Sequence, residues 1–336
     1  VLLGLAALVV VVAGFRAIAW LLAPAFLALV IVIAVAPVQA WLRRRQVPGW
    51  VSTLVLVVLV YAVIIAFGLV LLVSVARLAT VLPQYSGRAT QLVDSLTAAL
   101  TRLGVGAGET QDVAGSLNMN KLLQVIGSLL GNVTSAVGSL VFLLVLLGFL
   151  GLEAGGAGAR FADIATDRPE VVAALGDFAR GTRRYLVVTT VFGLIVAVLD
   201  TVALALLGIP LPVLWGLLSF ITNYIPNIGF VLGVIPPALL GLLAGGWRLM
   251  LLVIVVYSVL NFVVQSLIQP RFAGRAVGLS TTVAFVSLVF WAWVLGPIGA
   301  LLSIPLALLA KALLVDIDPR ARWADALLRS RPERPT

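Results

Sequence analysis

Residues 208–247 read GIPLPVLWGLLSFITNYIPNIGFVLGVIPPALLGLLAGGW. Two apolar arms, about 211–222 and 230–245, flank NYIPNIG at 223–229. A Pro, a Gly and two Asn interrupt any helix there, because Pro lacks the amide donor and Asn and Gly favour turns. As helices the arms would be roughly 18 and 24 Å long, and the first is short for a bilayer core of about 30 Å. The segment is therefore either two full crossings or a broken re-entrant hairpin, and the arm lengths favour the hairpin with NYIPNIG at its tip.

The surrounding chain sets the class. Of 336 residues, 62% are hydrophobic and 10% charged, against about 25% charged in a soluble domain. Apolar runs at 1–14, 18–41, 50–75, 133–152, 185–207, 248–268, 279–296 and 298–315 suit helices that satisfy their own backbone in lipid, not alternating barrel strands. The expectation is an all-α integral membrane protein with about eight transmembrane helices, a broken re-entrant helical hairpin and amphipathic extramembrane helices. The first run opens at Val1 and reads as the trimmed part of a first span, not as a signal-peptide core.

Charge orients the spans. With Arg43, Arg44 and Arg45 in the cytoplasm, 16 Lys and Arg fall inside, including loop 153–184, Arg271, Arg275 and the tail, and six fall outside. Positive charge prefers the cytoplasmic side, so the C-terminus is expected there. Span 185–207 then ends outside and span 248–268 begins outside, which makes 208–247 start and finish on one face.

Five regions follow. Residues 1–75 carry the N-terminal spans. Residues 76–132 form an extracytoplasmic amphipathic subdomain, with Tyr85, Ala89, Leu92, Leu96, Ala99, Leu100 and Leu103 on one helical face, followed by NKLLQVIGSLLG at 120–131. Residues 133–184 hold a span, a Gly-rich hinge at 151–160 and a cytoplasmic helix with Pro169 in its first turn. Residues 185–315 form the C-terminal core with the hairpin 208–247, and Gly296–Pro297 reads as a tight turn between two spans. Residues 316–336 are an interfacial tail or a solvated end.

Composition excludes much chemistry. The chain has no Cys and no His, which removes thiol nucleophiles, histidine metal ligation and Ser-His-Asp catalysis. No GxxxxGK[ST] phosphate loop occurs, so no ATP site and no cofactor is expected. The excess of Arg over Lys reads as a coding bias, not as a nucleic-acid surface.

The polar residues inside apolar runs carry the functional reading. Asp200 is the acid within such a run. A charge at bilayer depth is costly and marks an ion or proton site by default. The plainer alternative is a carboxyl near the outer face, hydrated or paired with Arg248. Asn261, Gln265 and Gln269 recur at four-residue spacing and share a helix face, lining a transport path or bonding between helices. At the tip, Asn223, Tyr224, Pro226, Asn227 and Gly229 are the candidate gate or substrate site, since transporters build sites from broken helices.

The stretch 208–247 resembles the signature of the autoinducer-2 exporter family of bacterial membrane proteins. The block QPRFAGRAVGLSTTVAFVSLVFWAWVLGPIGALLSIPLALLAKALL is similar to that family's C-terminal part, through Pro270, Gly274, Arg275, Gly296, Gly299, Ile304, Pro305 and Leu306. The resemblance implies a multi-pass inner-membrane transporter in the lipid bilayer, assembled as a homo-oligomer with a pentamer as the expected form. It implies a small polar solute such as autoinducer-2, or Na⁺ or Li⁺ exchanged for H⁺. Many members carry a Gln/Glu-rich stretch in the helix before the Pro-x-x-x-Gly-Arg loop, where this chain has Asn261 and Gln265 and no acid. Neutral amides bind hydroxyls or cations but carry no proton at neutral pH, which weighs against proton coupling through that helix. The leading expectation is a secondary transporter that exports by alternating access without ATP. A cation antiporter and a passive oligomeric pore are the alternatives, and an enzyme is not expected.

Overall fold

The computed structural model of the protein describes residues 2–102, 133–154, 156–226, 228–269, 279–318 and 328. Its helices are α1 (Leu2–Ala17), α2 (Ala19–Arg44), α3 (Gly49–Val81), α4 (Ser86–Arg102), α5 (Val133–Ala154), α6 (Ala157–Asp167), α7 (Pro169–Leu206), α8 (Pro212–Thr222), α9 (Gly229–Asn261), α10 (Thr281–Leu301) and α11 (Ser303–Lys311). A π-helical segment, Phe262–Ile268, extends α9, and another, Ala312–Asp316, extends α11. The expected helix at 120–131, the Pro270–Arg275 loop, Asn227 and most of the tail lie outside the described residues.

Large apolar side chains face outward all along the helices, among them Trp20, Phe149 and Leu206. In water that surface would be untenable; in lipid it is the ordinary solvent-facing side. The buried side of α2, the first half of α7, α10 and α11 forms one core around Phe26, Phe178, Val294 and Leu306. The buried side of α3, the second half of α7, α8 and α9 forms another around Leu204, Trp215, Val253 and Tyr257. Helix α7 runs through both. It is a single 38-residue helix, so the expected cytoplasmic helix at 169–184 and the expected span 185–207 are continuous. No proline separates them, and at about 57 Å the helix is far longer than a bilayer core.

Five helical stretches among the described residues are long and apolar enough to cross a membrane, and α5 with α6 makes a sixth across a 63° bend. That bend falls in the Gly-rich stretch expected to hinge, where Arg160 also pairs with Glu153. Two of the expected eight fall outside that count: α1, with 16 described residues, and the segment expected to span 298–315, which is interrupted at Leu302 and by the π-helical turn.

Two of the long stretches are in fact folded back on themselves at a glycine. Gly246 has φ 77° and ψ −169°, and Gly296 has φ 69° and ψ −151°, a region reserved almost wholly for glycine. A Cβ on Gly241 would lie 3.4 Å from Met250 Cα, although nine residues of straight helix would separate the two by roughly 13 Å. Likewise Ser287 Oγ donates to Ser303 O at 2.9 Å across the second turn. The expected turn at Gly296–Pro297 is therefore present, and residues 208–247 fold as a helical hairpin. Its arms are α8 and α9 up to Gly245, and its tip is residues 223–228.

The hairpin is compressed against α7. A Cβ on Gly216 would sit 1.8 Å from Thr201 Oγ1, and one on Gly229 would sit 1.9 Å from Thr222 O. Both positions need the absence of a side chain for the backbones to approach. Leu211, between Pro210 and Pro212, takes a left-handed conformation (φ 58°) to start α8, and Trp215 Nε1 donates to Pro210 O at 2.9 Å to hold that turn.

Candidate functional site

The tip of the hairpin is fastened by polar side chains. Asn223, at the end of α8, donates through Nδ2 to Thr189 O on α7 at 3.1 Å and accepts through Oδ1 from Gln265 Nε2 at 3.0 Å. Gln265 Nε2 also donates to Asn261 Oδ1 at 2.8 Å, and Asn261 Nδ2 donates to Tyr257 O at 3.0 Å. Asn223, Asn261 and Gln265 thus form one amide cluster, joined across 42 positions of chain. Gly193 of α7 makes room for it: a Cβ there would lie 2.7 Å from Asn223 Nδ2.

Tyr224 is held at both ends. Its main-chain oxygen accepts from the Tyr185 hydroxyl at 2.9 Å, and its own hydroxyl lies 2.6 Å from Thr190 Oγ1. Its ring meets Phe220 edge-on at 5.6 Å between centroids. Pro226 turns the chain, its carbonyl accepting from Ile228 N at 2.8 Å, and Gly229 permits the close approach to Thr222 that closes the turn.

No hydrogen bond joins Gln269 to the amide cluster among the described residues. Residues 262–268 are wound as a π-helix, and the four-residue spacing still brings Gln265 onto Asn261. Single-turn π segments of this kind tend to occur at functional positions.

Asp200 lies fully buried on α7, one layer away. Its Oδ2 accepts from Ser219 Oγ at 2.6 Å, and its Oδ1 has no partner among the described residues. Arg248 is not its partner: that guanidinium lies over the ring of Trp247, 5.7 Å from the centroid. Ser219 is four residues before Asn223 and Tyr257 four before Asn261, so the carboxyl layer and the amide layer are about one helical turn, roughly 6 Å, apart. Among the described residues no group of His, Cys, Asp and Glu could hold a metal ion.

The side chains that sequence reasoning passed over are Tyr185, Thr190, Ser219 and Tyr257. A periodic signal existed for two of them. Tyr257, Asn261 and Gln265 recur every four residues, as do Ser219 and Asn223. For Tyr185 and Thr190 no such signal existed, because each contacts a tip residue more than 30 positions later.

Among the described residues the tip presents amides and hydroxyls. Amides and hydroxyls read ligand hydroxyls and carbonyls without changing charge. Gln265 Oε1 has no protein partner among the described residues, which leaves a free acceptor beside two donors already engaged.

Known proteins are similar to this chain over most of its length. Residues 5–317 match the model of the AI-2E family transporter. The AI-2 transport protein TqsA of Escherichia coli K12 is 34% identical over 309 residues, covering 90% of this chain and 88% of the relative. A Haemophilus influenzae relative, named only as a transport protein, is 31% identical over 329 residues, covering 96% and 94%. A family match over nearly the whole chain, with apolar helices folded around a polar-tipped hairpin, makes this a multi-pass bacterial membrane transporter, and the chain belongs to the AI-2E transporter family.

Proposed function

We propose that the protein is a secondary transporter that exports a small polar solute by alternating access, without ATP, and that the tip of hairpin α8–α9 is its gate. One observation carries this reading. Hydrogen bonds join Asn223 and Tyr224 of the tip to α7 and to the π-helical segment. Such bonds exchange readily with the hydroxyls of a solute, because each lost protein bond is replaced by a ligand bond. Autoinducer-2, a hydroxyl-rich molecule of the class named for the Escherichia coli relative, is the first candidate.

In this reading the hairpin enters from the outer face, the C-terminus is cytoplasmic in the bacterial inner membrane, and the exposed apolar helix faces meet lipid and further copies in a homo-oligomer, a pentamer by family resemblance. Asp200 supports a second reading, in which the solute flux is exchanged for Na⁺, Li⁺ or H⁺: it is a buried carboxyl on α7 against the hairpin, with one oxygen unpartnered among the described residues.

The test is flux in proteoliposomes holding the purified protein, with autoinducer-2, Na⁺, Li⁺ and H⁺ each offered in turn. Saturable autoinducer-2 flux that falls at least tenfold in Gln265→Ala, at unchanged protein content, supports the gate. Flux that never saturates would identify a pore, and saturable flux indifferent to Gln265 would place the amide cluster in a purely structural role.

A further inference from the structure

Between α3 and the start of α8 lies a groove of about 460 Å³. Leu69, Val70 and Val73 of α3 line one wall, and residues 211–214 line the other. Toward the hairpin tip, Phe67 of α3 meets Phe220 of α8, with ring centroids 6.2 Å apart. Two polar side chains belong to the groove, Ser74 and Arg77. Ser74 is 8% exposed, and its hydroxyl makes no hydrogen bond among the described residues. The Arg77 guanidinium makes no ion pair and no hydrogen bond among the described residues either. The residues lining the groove include no acid.

Spacing sets the shape of the ligand. Leu69, Val70, Val73, Ser74 and Arg77 recur at three- and four-residue intervals, so they form one stripe along α3. From Leu69 to Arg77 the stripe is about 12 Å long, apolar for most of its length and cationic at one end. Arg77 follows the apolar run 50–75, at the level where long basic side chains reach from hydrocarbon to headgroups. A hydroxyl-rich solute would leave its hydroxyls against Leu69, Val70 and Val73 without hydrogen-bond partners. An inorganic anion would use Arg77 and leave the apolar walls bare. An acyl chain beneath a phosphate uses both, because hydrocarbon suits the walls and a guanidinium pairs with phosphate oxygens two at a time. At about 30 Å³ per water-sized group, the groove holds on the order of 15 such groups, enough for a phosphate and a stretch of chain.

We propose that this groove binds one anionic phospholipid, with its phosphate on Arg77, an ester oxygen accepting from the Ser74 hydroxyl, and one acyl chain along Leu69, Val70 and Val73. The lipid bridges α3 to the segment where α8 begins, beside the left-handed turn at Leu211, and holds the first arm of the hairpin against α3. The proposal stands on the groove itself and does not depend on what the protein transports.

The experiment follows the melting temperature of the purified full chain in neutral detergent as phosphatidylglycerol is added, with phosphatidylcholine and inorganic phosphate as separate arms. A ligand of the folded state raises that temperature saturably. The parent should respond to phosphatidylglycerol, need at least fivefold more phosphatidylcholine for the same rise, and show no rise with inorganic phosphate. Arg77→Gln should raise the half-effective phosphatidylglycerol concentration at least fivefold. Val73→Trp, which fills the groove and keeps Arg77, should do the same, and Val70→Trp repeats that arm should Val73→Trp not purify. Arg102→Gln, in the exposed last turn of α4, controls for net charge and should match the parent. A parental response in Arg77→Gln or in the groove-filled variant overturns the proposal, as does an equal loss in Arg102→Gln or an equal parental response to phosphatidylcholine. A rise with inorganic phosphate equal to that with phosphatidylglycerol makes this a free-anion site, and a changed oligomeric state in Val73→Trp assigns the groove to a second copy of the chain; either result removes the lipid.

Discussion

Gln265 reaches Asn223 across the mouth of the hairpin, Nε2 to Oδ1 at 3.0 Å, and so ties the π-helical segment after α9 to the last residue of α8's cap. The bond spans a turn, a full hairpin arm and a chain reversal at Gly246. It makes the closed tip a property of three elements at once, and it separates predictions about closing the tip from predictions about building the hairpin.

Tyr185→Phe removes only the hydroxyl that donates to Tyr224 O. One neutral hydrogen bond is worth about 0.5–1.5 kcal/mol, so the closed tip should lose roughly two- to tenfold in population. Accessibility of a cysteine placed at Ile225, measured by thiol labelling in membranes, should rise by that factor. Unchanged labelling would show that Tyr185 does not hold the tip.

Gly229→Ala and Gly216→Ala place a methyl 1.9 Å from Thr222 O and 1.8 Å from Thr201 Oγ1. Overpacking costs about 1–3 kcal/mol, with more where backbone must move. Both variants should melt below the parent in detergent. Gly68→Ala, with open space at its Cβ, is the control and should melt no lower than the parent.

Gly246→Ala and Gly296→Ala meet no steric neighbour, yet each forces a side chain onto a glycine-only conformation. The expected cost is about 1–3 kcal/mol each, seen as a lower melting temperature. Parental stability in both would mean that these turns are not the two reversals described here.

Leu211→Gly sets strain against packing. Leu211 sits left-handed at φ 58°, a conformation that costs a non-glycine residue about 1–2 kcal/mol. Glycine relieves part of that strain, but it raises the entropy of the unfolded chain and removes a side chain packed against the Leu204–Tyr257 core, so a lower melting temperature is expected. A melting temperature above the parent would show that backbone strain outweighs packing at this position.

Arg88→Ala removes the guanidinium that donates to Leu243 O at 3.1 Å and to Ala244 O. Those carbonyls end a helix arm, where cations are favoured. Hydrogen exchange at Gly245–Arg248 should accelerate in the variant, with the tip unchanged. No acceleration would leave α4 without a hold on the hairpin.

Much of this was legible in the sequence because the signals were local. Asn223, Tyr224, Pro226 and Gly229 announced a break by residue type, and the arms on either side announced helices by apolarity. Asn261 and Gln265 announced a shared face by spacing. The π-winding of Phe262–Ile268 was not legible, because it depends on how that segment packs and leaves no mark in a four-residue pattern. Asp200 was conspicuous as a charge in an apolar run; Tyr257, whose carbonyl Asn261 bonds, was not, since a lone tyrosine in such a run is unexceptional.

By itself, the sequence determined the helical membrane class, the hairpin with its polar tip, and the buried acid. Each follows from short-range physics: the cost of charge in hydrocarbon, the missing amide of proline, the freedom of glycine. Only the tertiary structure decided which residues meet. The partners of Asn223 and Tyr224 lie 34 to 42 positions away, and which hydroxyl or amide faces them depends on helix rotation and crossing, set by glycine-lined close packing of α8 on α7 and by the reversal at Gly246. A side-chain bond reaches about 3 Å, so its pairing is settled only when whole helices have docked.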